Sequence, residues 1–233
     1  MDRDATPWAL GLLLAGVALA WSRTSSASST SSTREPPSAD PYDLGWEIYG
    51  PEYAARYEAA QVRPERVAAV DVIARQIAAD RARYEATGGP LGVPWYVVGI
   101  LHHLEGGGRW TTHLHNGDPL AARTVHVPVG RPLVGSPPFS WEESARDALT
   151  SQGLDRWHTW TPAGVLYRLE RFNGFGYRPR GILSPYLWSF TDQYTRGKFV
   201  ADGVFDADSV SAQAGGAAVL KRLDALGLIE AER

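Results

Sequence analysis

The chain has 233 residues, of which 44% are hydrophobic, 11% aromatic and 21% charged, so it can bury a sizeable core and is neither disordered nor fibrous. Its 23 Lys and Arg stand against 26 Asp and Glu, which leaves no basic surplus for a phosphate backbone and excludes nucleic acid as an expected partner. The absence of Cys removes disulfides, thiolate zinc sites and Cys nucleophiles together.

The first forty residues read as separate from the folded domain. Residues 8–21, WALGLLLAGVALAW, carry no charge, and their length suits the core of an export signal better than a spanning helix of about 20 residues. Ala18-Leu19-Ala20 offers a small-x-small cleavage pattern. Asp2, Arg3 and Asp4 replace the usual basic flank, so residues 1–21 are read as a signal peptide or a weak membrane anchor. Of the twelve residues 22–33, ten are Ser or Thr, and Pro36 and Pro37 follow. Residues 22–40 are therefore expected to be a disordered Ser/Thr/Pro-rich linker, with the domain at 41–233. The expected location is outside the cytoplasm: periplasmic, anchored to the membrane through residues 8–21, or secreted.

Within the domain, Pro64 and the spacing of Val67, Val70, Ala74, Ile77, Ala78 and Tyr84 predict one long helix over 64–84, ended by Gly88-Gly89-Pro90. A second helix is expected from Pro94 to about Glu105, where Gly106-Gly107-Gly108 stops it. Residues 111–134 hold a turn at Asn116-Gly117-Asp118-Pro119 and an alternating run from Thr124 to Val129, which predicts a small antiparallel hairpin or three short strands. Ser140-Trp141-Glu142-Glu143 is a capping box for a helix to about Thr150, and Thr161-Pro162 opens another that ends at Asn173-Gly174. Ser184-Pro185 starts a short helix, and 208–226 reads as a last amphipathic helix. The expected class is mainly α with a small β excursion.

The chemistry centres on carboxylates. Glu105 stands where an apolar helix meets a glycine loop, a setting that raises a carboxyl pKa and suits a general acid for glycosidic bond cleavage. Asp118, thirteen residues on, is the candidate second carboxylate, and Thr124 could orient a water; Asp147 and Glu143 are alternatives for that second role. Trp110, Trp188, Tyr177 and Tyr186 lie in Gly- or Pro-flanked segments where rings could stack on sugar faces, with Asn173 beside Tyr177 at a sharp break. A rival is a zinc site from His102, His103, Glu105, His113, His115 and Asp118, although there is no His-Glu-x-x-His helix.

Val93-Pro94-Trp95-Tyr96, His102-His103-Leu104-Glu105, the run from Thr112 to Leu120 and Thr124-Val125-His126-Val127-Pro128 resemble the lysozyme family proteins of bacteria and their phages. Tyr186-Leu187-Trp188-Ser189 and the run from Lys198 to Gly203 add to the resemblance, which covers about residues 45–225. It implies a lysozyme-like fold, a helical lobe and a small β subdomain flanking a cleft, with Glu105 as the acid at the end of a core helix. It also implies peptidoglycan glycan strands as substrate and no cofactor; the chain is expected to act as a monomer. Asp118 and Thr124 match the six-residue Asp-to-Thr interval of compact phage lysozymes, but Glu105 to Asp118 is four residues longer than usual. His113, His115 and Asn116 are expected to touch substrate. Phe172-Asn173-Gly174-Phe175-Gly176 is similar to an element of lytic transglycosylases, which use one Glu and attack by the substrate's own hydroxyl. The further alternatives are a zinc-dependent wall peptidase and a non-catalytic wall-binding protein.

Overall fold

The computed structural model describes residues 45–201 and 203–230. The export segment and the linker expected over 1–40 lie outside these residues. Among the described residues there are eight α-helices: α1 Trp46–Ala59, α2 Pro64–Ala79, α3 Arg81–Gly88, α4 Trp95–Gly106, α5 Trp141–Ser151, α6 Pro162–Asn173, α7 Pro185–Trp188 and α8 Gly216–Ala225. One two-stranded antiparallel sheet, β1 Lys198–Ala201 with β2 Val204–Asp206, pairs Phe199 with Phe205. The protein is mainly α, as its composition and periodicity predict, and no described helix is long and apolar enough to cross a membrane.

The core is organised around α4. Its WYVVGILHHLEG sequence is apolar on nearly every face, and Val97, Val98, Ile100 and Leu101 are fully buried, so neighbours must cover it all round. Helices α2, α3 and α8 do so. Gly99 lets α2 approach, because a Cβ there would lie 2.4 Å from the Ile77 Cγ2 atom. Helix α1 packs on α6, with Trp46, Trp157 and Tyr167 in contact edge-on or tilted.

Three expectations are corrected. The single helix over 64–84 is broken at Asp80, whose ψ of 9° leaves the helical range, and Asp80 O then accepts from the Arg83 and Tyr84 amides that open α3. The redirected α3 seats the buried Tyr84 ring against α4, where its hydroxyl bonds His102 Nδ1 at 2.9 Å. A one-residue break barely disturbs the apolar spacing, which is why periodicity missed it.

The hairpin expected over 111–134 is absent; that stretch holds only an isolated bridge between Thr112 and Pro119. Pro128 and Pro132 have no amide to give a ladder, and side chains satisfy much of the backbone instead. The sheet lies later, at β1 and β2. The last helix starts at Gly216 rather than near 208, because Gly215 is extended (ψ 159°) and lies so close to α7 that a Cβ would meet Leu187 O at 2.3 Å. Val210, an apolar residue within the expected span 208–226, is exposed.

The capping box is formed as expected: the Glu143 amide donates to Ser140 Oγ at 3.2 Å and the Ser140 amide to Glu143 Oε2 at 2.8 Å. Ser140→Ala is expected to cost about 1 kcal/mol. Thermal unfolding should register a fall of roughly 2–4 °C; an unchanged midpoint would mean that the cap contributes nothing net.

Candidate active site

Helix α4 ends in a left-handed glycine cap. Gly107 (φ 59°) and Gly108 (φ 75°) turn the chain so that their amides reach back to His103 O and His102 O, at 3.0 and 3.1 Å. Gln213 Nε2 donates to both His103 O and Leu104 O at 3.0 Å, adding a second donor to the first and satisfying the second, which the helix end otherwise leaves open. The loop at 113–118 closes over this end. Gly117, with φ 78°, sits where a Cβ would be 2.7 Å from Glu105 O, so no larger residue fits without moving one backbone off the other.

These contacts bury Glu105, which is 5% exposed. Among the described residues one polar side chain is bonded to it: Tyr186 Oη donates to Glu105 Oε1 at 2.6 Å. Burial pushes the Glu105 carboxyl up to about 8, and the Tyr186 hydrogen bond only partly restrains the rise. The group is thus mostly protonated at neutral pH, the state a general acid needs.

A second buried carboxyl, Glu170 on α6, makes an instructive contrast. It accepts from Tyr53 Oη and, at 3.1 Å, from the Arg178 guanidinium, which also bonds Glu52 at 2.9 Å. Burial raises its pKa, but the Tyr53 hydroxyl and the Arg178 charge oppose the rise. Glu170 is an ion-paired structural acid. Glu105 has a similar tyrosine and, among the described residues, no cation.

Asp118 is held differently. Its Oδ2 accepts from the Val125 amide (2.8 Å), the His126 amide (3.0 Å) and Asn116 Nδ2 (3.2 Å), while Oδ1 bonds His126 Nδ1 at 2.6 Å. Burial opposes ionisation, yet the His126 and Val125 hydrogen bonds outweigh it and keep the carboxyl below its usual range. Asn116 completes the clamp by accepting from the Asp118 amide and donating to His126 O and Val127 O. Thr124 is equally engaged: its hydroxyl donates to Pro128 O and accepts from the Arg131 amide at 2.9 Å. Asp118, read from the sequence as the second carboxylate that stabilises developing charge or positions water, and Thr124, read as its partner in orienting that water, are occupied in building the loop 116–131. Asp118→Asn is expected to lower stability by about 1–3 kcal/mol, since it removes a charged acceptor from the part-buried hydrogen bonds of the Val125 and His126 amides. Faster hydrogen exchange at Val125 and His126 would locate the loss; native stability with turnover abolished would return Asp118 to the chemistry.

His113 bonds Ser144 Oγ and Ala122 O, both at 2.7 Å, and His115 bonds Asp147 at 2.8 Å with Ser144 Oγ 3.4 Å away. These links tie the loop to α5. Asp147 is engaged there, with Arg131 on its other oxygen at 3.4 Å, and Glu143 is spent in the capping box. Burial lowers His115 to about 4, so it is neutral at physiological pH. Trp110 packs between Arg83, 3.8 Å over its ring, and an aromatic group of His102, Tyr84 and Trp141. Trp188 is 1% exposed and belongs to the core, and Tyr177 is buried with its oxygen accepting the Phe199 amide at 3.1 Å. Asn173 closes α6 half-buried, with no side-chain hydrogen bond among the described residues, and is the freest of the expected substrate contacts.

Among the described residues, no three His, Asp or Glu side chains converge where a metal could sit. His102 is instead fixed by Tyr84 and by Arg109 O, and burial holds both His102 and His103 at about 4. A cavity of about 1270 Å³ between α1, α2 and α8 is lined by Trp46, Tyr57 and Lys221 and by none of these candidates. Its carboxylates are Glu47 and Glu58, which are solvent-exposed, and Asp224, which is half-buried. Two residues escaped the sequence reading: Gln213, which no pattern marks as a helix cap, and Tyr186 as a partner of the acid, since Ser184-Pro185 signals a helix start but not what the helix faces.

No family model, curated protein or solved structure matches the chain.

Proposed function

We propose that this protein is a lysozyme-like enzyme that cleaves the glycan strand of peptidoglycan between N-acetylmuramic acid and N-acetylglucosamine, with Glu105 as general acid. The observation that carries the reading is a buried carboxyl, with no cation beside it among the described residues, held protonated at neutral pH at the glycine-capped end of the central helix. A poor leaving oxygen needs that proton as positive charge grows on the sugar ring. The resemblance of the motifs around Glu105 to lysozyme family proteins supports the substrate.

The occupied oxygens of Asp118 favour a particular course for the reaction. A hydrolase needs a second group to hold water or meet the developing charge, whereas Glu105 alone suffices for lytic transglycosylation. Glu105 gives its proton to the glycosidic oxygen and the C1–O bond breaks. The muramyl C6 hydroxyl oxygen then bonds C1, and its proton returns to Glu105. The product is an anhydro-muramyl end, with no water consumed.

The test is mass spectrometry of soluble fragments released from purified peptidoglycan by residues 40–233, beside Glu105→Gln and an EDTA-treated sample. Anhydro-muramyl ends are expected. Reducing-end muropeptides would return a water-positioning role to the site, and peptide cleavage lost with EDTA would overturn the reading in favour of the histidines. Binding without fragments would make the protein a wall-binding module.

A further inference from the structure

Helix α7 is placed with little freedom. Pro185 starts it, Gly215 lies against Leu187 O, and the Gly215 amide donates to Ser189 O at 3.0 Å. The sole polar contact of the Tyr186 hydroxyl among the described residues is Glu105, 81 positions earlier in the chain. Among the described residues no other titratable side chain acts on Glu105; His103, two residues before it on α4, has its Nε2 buried without a partner.

We propose that Tyr186 is the positioning residue of the acid: by donating to Oε1 it favours the transferable proton of Glu105 on Oε2 and then stabilises the carboxylate left behind. The inference deepens the glycan-cleaving reading of this site and rests on it. A neutral carboxyl accepts a hydrogen bond better at its carbonyl oxygen than at its hydroxyl oxygen, so the phenol on Oε1 favours the proton on Oε2 and biases which oxygen meets the leaving group. When the proton leaves, the same contact becomes charge-assisted and stronger. Tyr186 therefore favours the state formed during the reaction over the resting one, the condition for a contact that speeds the chemical step. Burial and the adjoining carboxyl keep the phenol protonated far above its ordinary range, so it remains a donor at every working pH.

The test is Tyr186→Phe, which keeps the ring and its packing. On peptidoglycan, kcat is expected to fall by about 10- to 100-fold with KM little changed, because the lost hydrogen bond is one to a charged group. The alkaline limb of the rate profile, set by loss of the Glu105 proton, should move to higher pH. An activity-independent readout accompanies it: the carboxyl carbon signal of Glu105 in the ¹³C-Glu-labelled chain, identified by its disappearance in Glu105→Gln. Its midpoint should rise in the Phe variant. An unmoved midpoint, or a moved midpoint with kcat unchanged, would overturn the inference and leave glycan cleavage standing. A wild-type chain that releases no fragments would sink the function itself, while the titration still reports whether the phenol acts on the acid.

Discussion

Replacing Glu105 with Gln is expected to reduce fragment release by about 10²- to 10⁴-fold, the range for removal of a general acid. The fold should survive, because the Gln carbonyl can accept from Tyr186 where Oε1 now does. A second effect runs the other way. The Glu105 carboxyl sits at about 8 in the folded chain, above its value in an unfolded one. Between those values the folded state binds more protons, so wild-type stability is complete at low pH and declines as pH rises through that window. Gln does not titrate, and the variant should escape the decline, exceeding the wild type at pH 7 by about 3 kcal/mol. Urea denaturation at pH 5, 7 and 8.5 measures this. An active Gln variant would remove Glu105 from the chemistry, and parallel stability curves would mean that the carboxyl is not buried as described.

How much could be read in advance follows from the range of each signal. Local signals succeeded: the Ser140–Glu143 capping box, the Thr161-Pro162 start of α6 and the glycine stop after Glu105 each act within a few residues. The burial of Glu105 was anticipated for the same reason, since α4 is apolar to its end. Signals whose outcome depends on distant partners failed. The alternating run at 124–129 has the period of a strand, yet Asp118 and Asn116 take up its backbone groups before a neighbouring strand can. His113, His115 and Asn116 look like a polar site because they cluster in sequence. The fold uses that polarity internally, as buried groups must be bonded. Tyr186 meets Glu105 across 81 positions of sequence and Arg178 meets Glu52 across 126, and no periodicity encodes such pairs.

Arg178 carries the largest expected stability effect. Its guanidinium joins Glu170, 3% exposed, to Glu52, and lies 4.1 Å over the Tyr49 ring and 5.0 Å over that of Tyr53. Arg178→Met keeps much of the stem and removes the charge, leaving Glu170 buried with the Tyr53 hydroxyl alone. Stranding one member of a buried pair costs about 3–5 kcal/mol at neutral pH. Without the cation, burial drives the Glu170 carboxyl further above its unfolded value, so the variant's deficit should shrink as pH falls and Glu170 takes up a proton. Glu170→Gln in the Met background should recover most of the loss, because a neutral amide needs no counter-charge. Chemical denaturation of the single and double variants at pH 7 and 5 closes the cycle. A deficit below about 1 kcal/mol, or one independent of pH, would mean that solvent rather than Arg178 compensates Glu170. Arg178 also anchors the chain between Asn173 and α7, so its loss should loosen the segment that presents Tyr186 to Glu105. Release of fragments should then fall more than stability alone explains, and the single-variant assay at 10 °C, where the folded state is still populated, separates the two.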